Sequence, residues 1–455
     1  MSLSKFESML KTNDVYFFDA TEFELIIQHY LDVGKHSLAK KAVQLGLEQH
    51  PSSIQLKLMY IELLVFENQL QKAITLLREI EAVEPHNDEV FIQKAMIMSK
   101  KKRHKEAITI LKSSLEFVED PADIWSMLGM EYLYLDDFEN ARLNFAKCID
   151  VDFEDYSSLY NMVYCFDMED SHEDAIKFLN AYIDRNPYCE IAWHQLGRQY
   201  YAINNFKDAL RAFDYAVIID ESFIGGYLEK AKTLEQLEEY EEAINNYLIT
   251  LELDDPTAYA YTRIGECYEK LEDVSTAILY YKKAVHEDPL LDRGWIMLTN
   301  ACYQLKDYQK ALYYINKAIQ IDETNALYWR KYGDINLKLN FYEEAVKAFN
   351  MCIDLGDIEI EIYVALADVL LFLGEFNDAL RVMIKAKKTY REFAEIEYRL
   401  CGLFMILNKE EYSLTHLKNA LEIDYEYHYI LKELFPTAFD NLRVQDILSD
   451  YKKSS

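Results

Sequence analysis

Proline and glycine are scarce, 7 and 12 residues in a chain of 455. With so few breakers and no stretch of alternating polarity, an extensive strand architecture is excluded and helices are expected throughout. Cations are also short: 48 Lys and Arg stand against 79 Asp and Glu, a net charge of −31. Such a field repels nucleic acid and anionic lipid headgroups, so neither is an expected partner. No segment approaches the roughly 18 apolar residues of a membrane span. The start, MSLSKFESMLKTND, lacks the apolar core of a signal peptide, which makes the cytoplasm the expected compartment. The seven cysteines form an odd set without a C-x-x-C pair, against both a disulfide framework and a zinc site, and are expected to be reduced packing residues. Sequences such as H-E-x-x-H, Gly-rich phosphate loops, EF-hand spacing and G-x-S-x-G are missing, so neither a catalytic centre, a cofactor nor a metal is expected.

What the chain does have is a repeat. From Trp193, steps of 34 reach Tyr227, Tyr261, Trp295, Trp329 and Tyr363 without an insertion, and backward steps reach Leu159, Trp125, Phe91, Lys57 and Phe23. All four tryptophans share this column. Alanine fills another from Ala39 to Ala379 and gives way only at Ser413, while Gly129, Gly197, Gly265 and Gly333 share a third. Units counted from residue 20 in steps of 34 number twelve and end at 427. Within a unit, positions 4, 7, 8 and 11 (Trp193, Leu196, Gly197, Tyr200) lie on one face of a first helix. Positions 20, 24 and 27 (Ala209, Phe213, Ala216) lie on one face of a second. Pro51, Pro85, Pro187 and Pro289 close four units where a helix must stop. Each unit reads as a helical hairpin.

The pattern W-x₂-L-G-x₂-Y, then A-x₃-F-x₂-A, then P, resembles the tetratricopeptide repeat family. The resemblance implies an all-α, right-handed α-solenoid superhelix of about twelve hairpins. It departs from the pattern at Lys57 in the second unit and at Glu397, Cys401 and Ser413 in the twelfth. Residues 1–19, with Leu3, Phe6, Met9 and Leu10 at helical spacing and an Asp19-x-x-Glu22 helix start, are expected to form an N-terminal cap. Residues 428–455, carrying Ile430, Leu431, Leu434, Val444, Ile447 and Leu448, are expected to form a C-terminal pair of capping helices.

In that family, positions 2, 5, 9, 12 and 13 of the first helices line a concave groove. Here the early units place Leu58, Val65, Phe66, Ile92, Met96, Met130, Leu133 and Tyr134 on that stripe, and the last units place Val364, Leu371, Phe372, Tyr398 and Met405 there. The middle units carry Tyr160, Tyr164, His194, Arg198, Tyr201, Lys232, Tyr259, Arg293, Asn300, Tyr303 and Arg330, a basic, tyrosine-bearing band in an acidic chain. These eleven residues are the expected partner-binding site, with cations for carboxylates of a peptide and tyrosines stacking along it. The competing reading is internal neutralisation of Glu235, Glu266, Glu269 and Asp334. His194 beside Arg198 looks catalytic but reads as groove wall, and the acidic run from Glu235 to Glu242 reads as a solvated turn. The carboxylate clamp of chaperone-binding members is met only by Asn300 and loosely by Lys331, because Thr262, Glu266 and Leu327 stand at its other positions. The resemblance thus implies a non-enzymatic protein-binding scaffold, monomeric and without cofactor, its partner an acidic and aromatic or apolar protein segment. The alternatives are a regulatory subunit of an enzyme complex and a self-associating module.

Overall fold

The computed structural model describes residues 2–12, 16–85, 87–118, 120–254, 257–357 and 359–454. Among these residues every regular element is a helix. Twelve hairpins follow one another: first helices start at Ala20 and at each 34th residue to Ala394, and second helices start at His36 and at each 34th residue to Glu410. By compactness the chain divides into two units, Met1–Gly226 and Tyr227–Ser455. The first holds the N-terminal helix Ser2–Thr12 and hairpins one to six; the second holds hairpins seven to twelve and the C-terminal elements. The first three residues of hairpin seven's helix Ile224–Gln236 belong to the first unit.

The turn between paired helices is the same in all twelve hairpins. Its central residue, Gly34 and each 34th residue to Asn408, has φ between 55° and 80°. The next N–H then reaches back to a carbonyl five residues earlier, as from Lys35 to Tyr30 (2.8 Å) and from Asn205 to Tyr200 (2.9 Å), closing the helix end. Only Gly34 and Gly374 occupy this left-handed position without steric cost; Asn and Asp fill six others, and Lys102, Glu238, Glu272 and Lys306 the remaining four. Glu238→Gly, Glu272→Gly and Lys306→Gly are each expected to stabilise the chain. Relief of about 1–2 kcal/mol of backbone strain outweighs the roughly 0.5–1 kcal/mol of extra unfolded-state entropy. A urea midpoint that moves down in all three would refute this account of the turn.

Packing across each hairpin follows a size rule. Gly129, Gly197, Gly265 and Gly333 stand where a Cβ would lie 2.4–2.6 Å from a ring carbon of Phe145, Phe213, Tyr281 and Phe349. Where position 8 is larger, position 24 is smaller: Val163 goes with Leu179, and Thr299 with Ile315, all buried. Hairpin seven lies between these cases, with Ala231 and Tyr247. Most column-4 aromatics sit farther out than periodicity suggests, although Phe23 and Tyr363 are buried. Trp193, Trp295 and Trp329 are half-buried, and their indole N–H groups donate to the carbonyls of Pro187, Pro289 and Glu323 at 2.9, 2.9 and 2.8 Å. Position 3, which the repeat columns do not single out, is the buried one, with Leu56, Val90, Ile124, Ala192, Ala260 and Ile362. It faces the preceding second helix; a Cβ on Gly294 would meet Val285 at 2.7 Å.

Both ends are closed by aromatic packing. Phe6 meets Phe18, Phe23 and Tyr30 with ring centroids 6.0–6.2 Å apart, and Met9 is buried beside them. The Asp19 N–H donates to Glu22 Oε2 at 3.1 Å at the start of the next helix. The C-terminal segment is a 3₁₀ turn, Tyr425–His428, and three helices, Tyr429–Leu434, Pro436–Phe439 and Leu442–Ser454, where a pair was expected. Its Phe435 is driven onto Gly402, where a Cβ would lie 2.1 Å from the ring. The seven cysteines are all buried and unpaired.

Candidate protein-binding groove

The first-helix stripe of the first unit exposes rings and thioethers where a solvated surface would carry charge. Tyr134, Tyr160, Tyr164 and Met168 are 57%, 43%, 49% and 52% exposed. Between the helices Asp88–Lys100 and Ala122–Leu133 lies an open cleft of about 220 Å³, lined by Met96, Met127, Met130 and Tyr134. Glu131 at its base is 4% exposed and is held by His104 Nδ1 at 2.8 Å, so the cleft floor is fixed from the neighbouring hairpin.

Hairpins five and six bring two of the expected residues, Tyr160 and Arg198, together on Gln195. Gln195, 1% exposed, accepts from Arg198 Nη1 at 3.3 Å through its Oε1 and is bonded to the Tyr160 hydroxyl. Burial raises the Tyr160 hydroxyl above the usual tyrosine value, against the lowering effect of Gln195 and the Arg198 charge. Arg198 is exposed and pairs with this neutral amide; no carboxylate of the described residues lies within ion-pair distance of it. His194 is turned into packing, its ring 5.1 Å from Phe223 and 5.7 Å from Phe213, with Nδ1 3.5 Å from Gln195 Nε2. Tyr201 meets Phe206 edge-on at 5.2 Å.

The second unit treats its cations differently. Lys232 pairs with Glu229 at 2.8 Å beneath Tyr259, whose ring centroid is 5.8 Å from Nζ. Arg293 pairs with Glu266, and Arg330 with Glu359. Arg263, which stands outside the expected groove positions, binds both Glu235 and Glu266, and Glu235 also accepts from the Tyr247 hydroxyl at 2.5 Å. Glu235 is thus a largely buried anchor, not part of a solvated turn, whereas Gln236, Glu238, Glu239, Glu241 and Glu242 are exposed. The signal for this network was a lone Arg 28 residues after one Glu and three before another, a spacing meaningful only once the 34-residue stack brings adjacent first helices side by side. Asn300 is half-buried, and Tyr303 lies under Lys331, 4.4 Å from Nζ to the ring centroid. Thr262 is buried and donates to the Ala258 carbonyl at 2.7 Å, so it cannot serve a carboxylate clamp.

Three residues expected on the stripe lie in the core. Leu58 and Val65 are 2% and 0% exposed because the first helices of hairpins two and three pack directly together there. Tyr398 is fully buried, and its hydroxyl donates to the Asp424 carbonyl at 3.1 Å, because the C-terminal elements cover the stripe of hairpin twelve. Among the described residues, no group of three or more His, Cys, Asp or Glu could hold a metal ion, and no helix is long and apolar enough to cross a membrane.

Tetratricopeptide-repeat models match residues 122–155, 228–291 and 292–325. A subunit of the anaphase-promoting complex, subunit 3 of Schizosaccharomyces pombe, is 21% identical over 178 residues, 38% of this chain. The chain spans only 27% of that relative's length. Among solved structures, YrrB, described as a TPR protein with an unusual peptide-binding site, is 19% identical with a TM-score of 0.36, over 41% of this chain and 95% of its own. MamA is 19% identical with a TM-score of 0.35, over 36% and 91%. Cut9, solved with Hcn1, is 15% identical with a TM-score of 0.34, over 96% and 92%.

Proposed function

The chain is a tetratricopeptide-repeat protein, and we propose that it is a non-catalytic, monomeric scaffold that binds a protein partner along the first-helix stripe of hairpins three to six. The observation that carries this reading is the run of exposed Tyr134, Tyr160, Tyr164 and Met168 beside a cation, Arg198, that has no carboxylate partner among the described residues. Tyrosine gives contact area at low entropic cost, methionine adapts its shape to a partner, and a guanidinium held by a neutral amide remains ready to take a partner's carboxylate in a bidentate pair. Lys232, Arg293 and Arg330 contribute less to this reading, since a partner's carboxylate must displace Glu229, Glu266 or Glu359. Tyr259, Asn300 and Tyr303 flank them in the second unit. Similarity to a subunit of a multiprotein complex fits a chain that holds proteins together. Seven buried thiols, none paired, fit a reducing compartment such as the cytoplasm.

The test is affinity capture from cytosol with the full chain. Tyr160→Ala, Tyr164→Ala and Arg198→Glu combined are expected to reduce recovery of the main partner at least about tenfold, as loss of two or three interface anchors would. Arg293→Glu with Arg330→Glu is expected to keep that partner. The reverse pattern, loss with the second set and retention with the first, overturns the assignment. If the recovered partner is an enzyme whose rate changes on binding, the scaffold acts as a regulatory subunit.

A further inference from the structure

The face of the second helices turned away from the first helices carries a feature that the groove does not explain. In a chain of net charge −31, the second helix of hairpin nine, Tyr308–Ile321, is the only one of the twelve without Asp or Glu. In its neighbour, Val274–Glu287, the single acidic residue is the last. The helices on either side are not like this: Tyr240–Leu253 contains Glu241, Glu242 and Glu252, and Tyr342–Asp354 contains Glu343, Glu344 and Asp354. The two acid-poor helices share one core through Ala277, Tyr281, Ile315 and Ala318, which fixes their outward faces.

Those faces carry the same pair of residues in register. Leu279 and Lys283 lie four residues apart on one helix, and Tyr313 and Lys317 stand 34 residues later on the next. Leu279 and Tyr313 are 58% and 57% exposed. Lys282 and Lys283 are exposed and have no carboxylate within ion-pair distance among the described residues; Lys283 lies over Tyr280, 4.6 Å from its ring centroid. Lys317 lies over Tyr313 at 5.7 Å and reaches Gln320, a neutral group, at 3.5 Å. Asp307 is used by Lys310 at 2.6 Å and Glu344 by Lys347 at 2.7 Å, and Glu287, four residues after Lys283, forms no ion pair with it. Internal charge balance, which accounts for the cations of the second unit's stripe, leaves Lys282, Lys283 and Lys317 unaccounted for.

We propose that this face is a second docking surface, which takes an acidic protein segment bearing apolar side chains, with Lys282, Lys283 and Lys317 on its carboxylates and Leu279 and Tyr313 on its apolar residues. Charge complementarity selects the occupant: the net acidic field of the chain repels other acidic surfaces, and the local excess of cations offsets that field on this face. The site lies on the opposite helices from the proposed groove and does not depend on it.

The probe is a fluorescein-labelled peptide of repeated Glu-Glu-Leu-Phe, titrated with the full chain at low salt and followed by anisotropy. Saturable binding that weakens as salt rises is expected, with a loss of about tenfold or more in Lys282→Glu, Lys283→Glu and Lys317→Glu combined. Leu279→Ala with Tyr313→Ala is expected to weaken it as well, while Arg211→Glu, a change at an exposed cation of hairpin six, leaves it unaltered. All of these side chains are exposed or half-exposed, and an unchanged circular dichroism spectrum verifies folding. Equal binding by wild type and the triple Glu variant overturns the proposal. So does an equal loss in Arg211→Glu, or binding to phosphatidylserine vesicles or single-stranded DNA with none to the peptide.

Discussion

Gly197→Val is expected to destabilise the chain by about 3 kcal/mol, and Phe213→Leu in the same molecule is expected to restore most of it. A Cβ on Gly197 would fall 2.5 Å from Cε1 of Phe213, a ring that is fully buried and has no room to retreat. The remedy already exists one hairpin earlier, where Val163 and Leu179 occupy the same two positions, both buried. Phe213→Leu by itself leaves a cavity and is expected to cost about 2–3 kcal/mol. The two single changes therefore act in opposite directions on one volume, and their double-mutant coupling should be large and favourable. The measurement is the urea midpoint and its slope for wild type, both single variants and the double variant. Simple additivity would mean that the inverse sizes of positions 8 and 24 are coincidence.

Glu397→Ala is expected to be at least as damaging, about 3–5 kcal/mol, because it breaks a buried ionic cluster by removing its only anion. Glu397 is 2% exposed and sits where most other hairpins place an aromatic ring. Its two oxygens accept from Lys387 Nζ and His416 Nδ1, each at 2.6 Å. Burial on its own raises this carboxyl, and the bonds from His416 and Lys387 more than reverse that, holding it below the ordinary glutamate value of 4.5. A carboxyl whose folded value is depressed contributes stability that is fully present above 4.5 and is lost as pH falls through the lower folded value. Acid should therefore weaken wild type more than a variant in which Glu397→Leu, His416→Leu and Lys387→Met replace the cluster with apolar side chains. That triple variant is expected to be near wild-type stability at neutral pH, since replacing a whole buried ion pair is often neutral where halving it is not. Glu397→Ala matching the triple variant in urea, or no difference between wild type and the triple variant on acidification, would remove the cluster from the account of hairpin twelve.

Much of the fold is legible in the chain because the period of 34 carries no insertion over twelve units, and the helix starts repeat with the same period. Apolar residues at helical spacing must share a face, and small residues beside large ones must mark close approach, so hairpins follow from pattern alone. Which face meets which neighbour is less legible. The tryptophan column draws the eye, yet position 3 is the buried one, because the preceding hairpin's second helix covers it and that contact has no short-range signature. The twelve left-handed turns are equally silent: four of them hold Lys or Glu, residues that announce no positive φ.

The candidate site divides along the same line. The sequence determined by itself that this is a repeated helical hairpin, that its field is acidic, and which residues fall on the first-helix stripe, since each of these depends on composition or on spacing within one helix. Tertiary structure decided which of those residues are accessible and which are already paired. Leu58, Val65 and Tyr398 have the same register as Tyr160 and Arg198 but lie under a neighbouring helix or the C-terminal elements. Arg293 and Arg330 have the same charge as Arg198 but meet Glu266 and Glu359, while Arg198 meets the neutral amide of Gln195. Burial and ion pairing are set by side chains roughly one repeat away, brought alongside when the hairpins stack, and a linear pattern holds no record of that meeting.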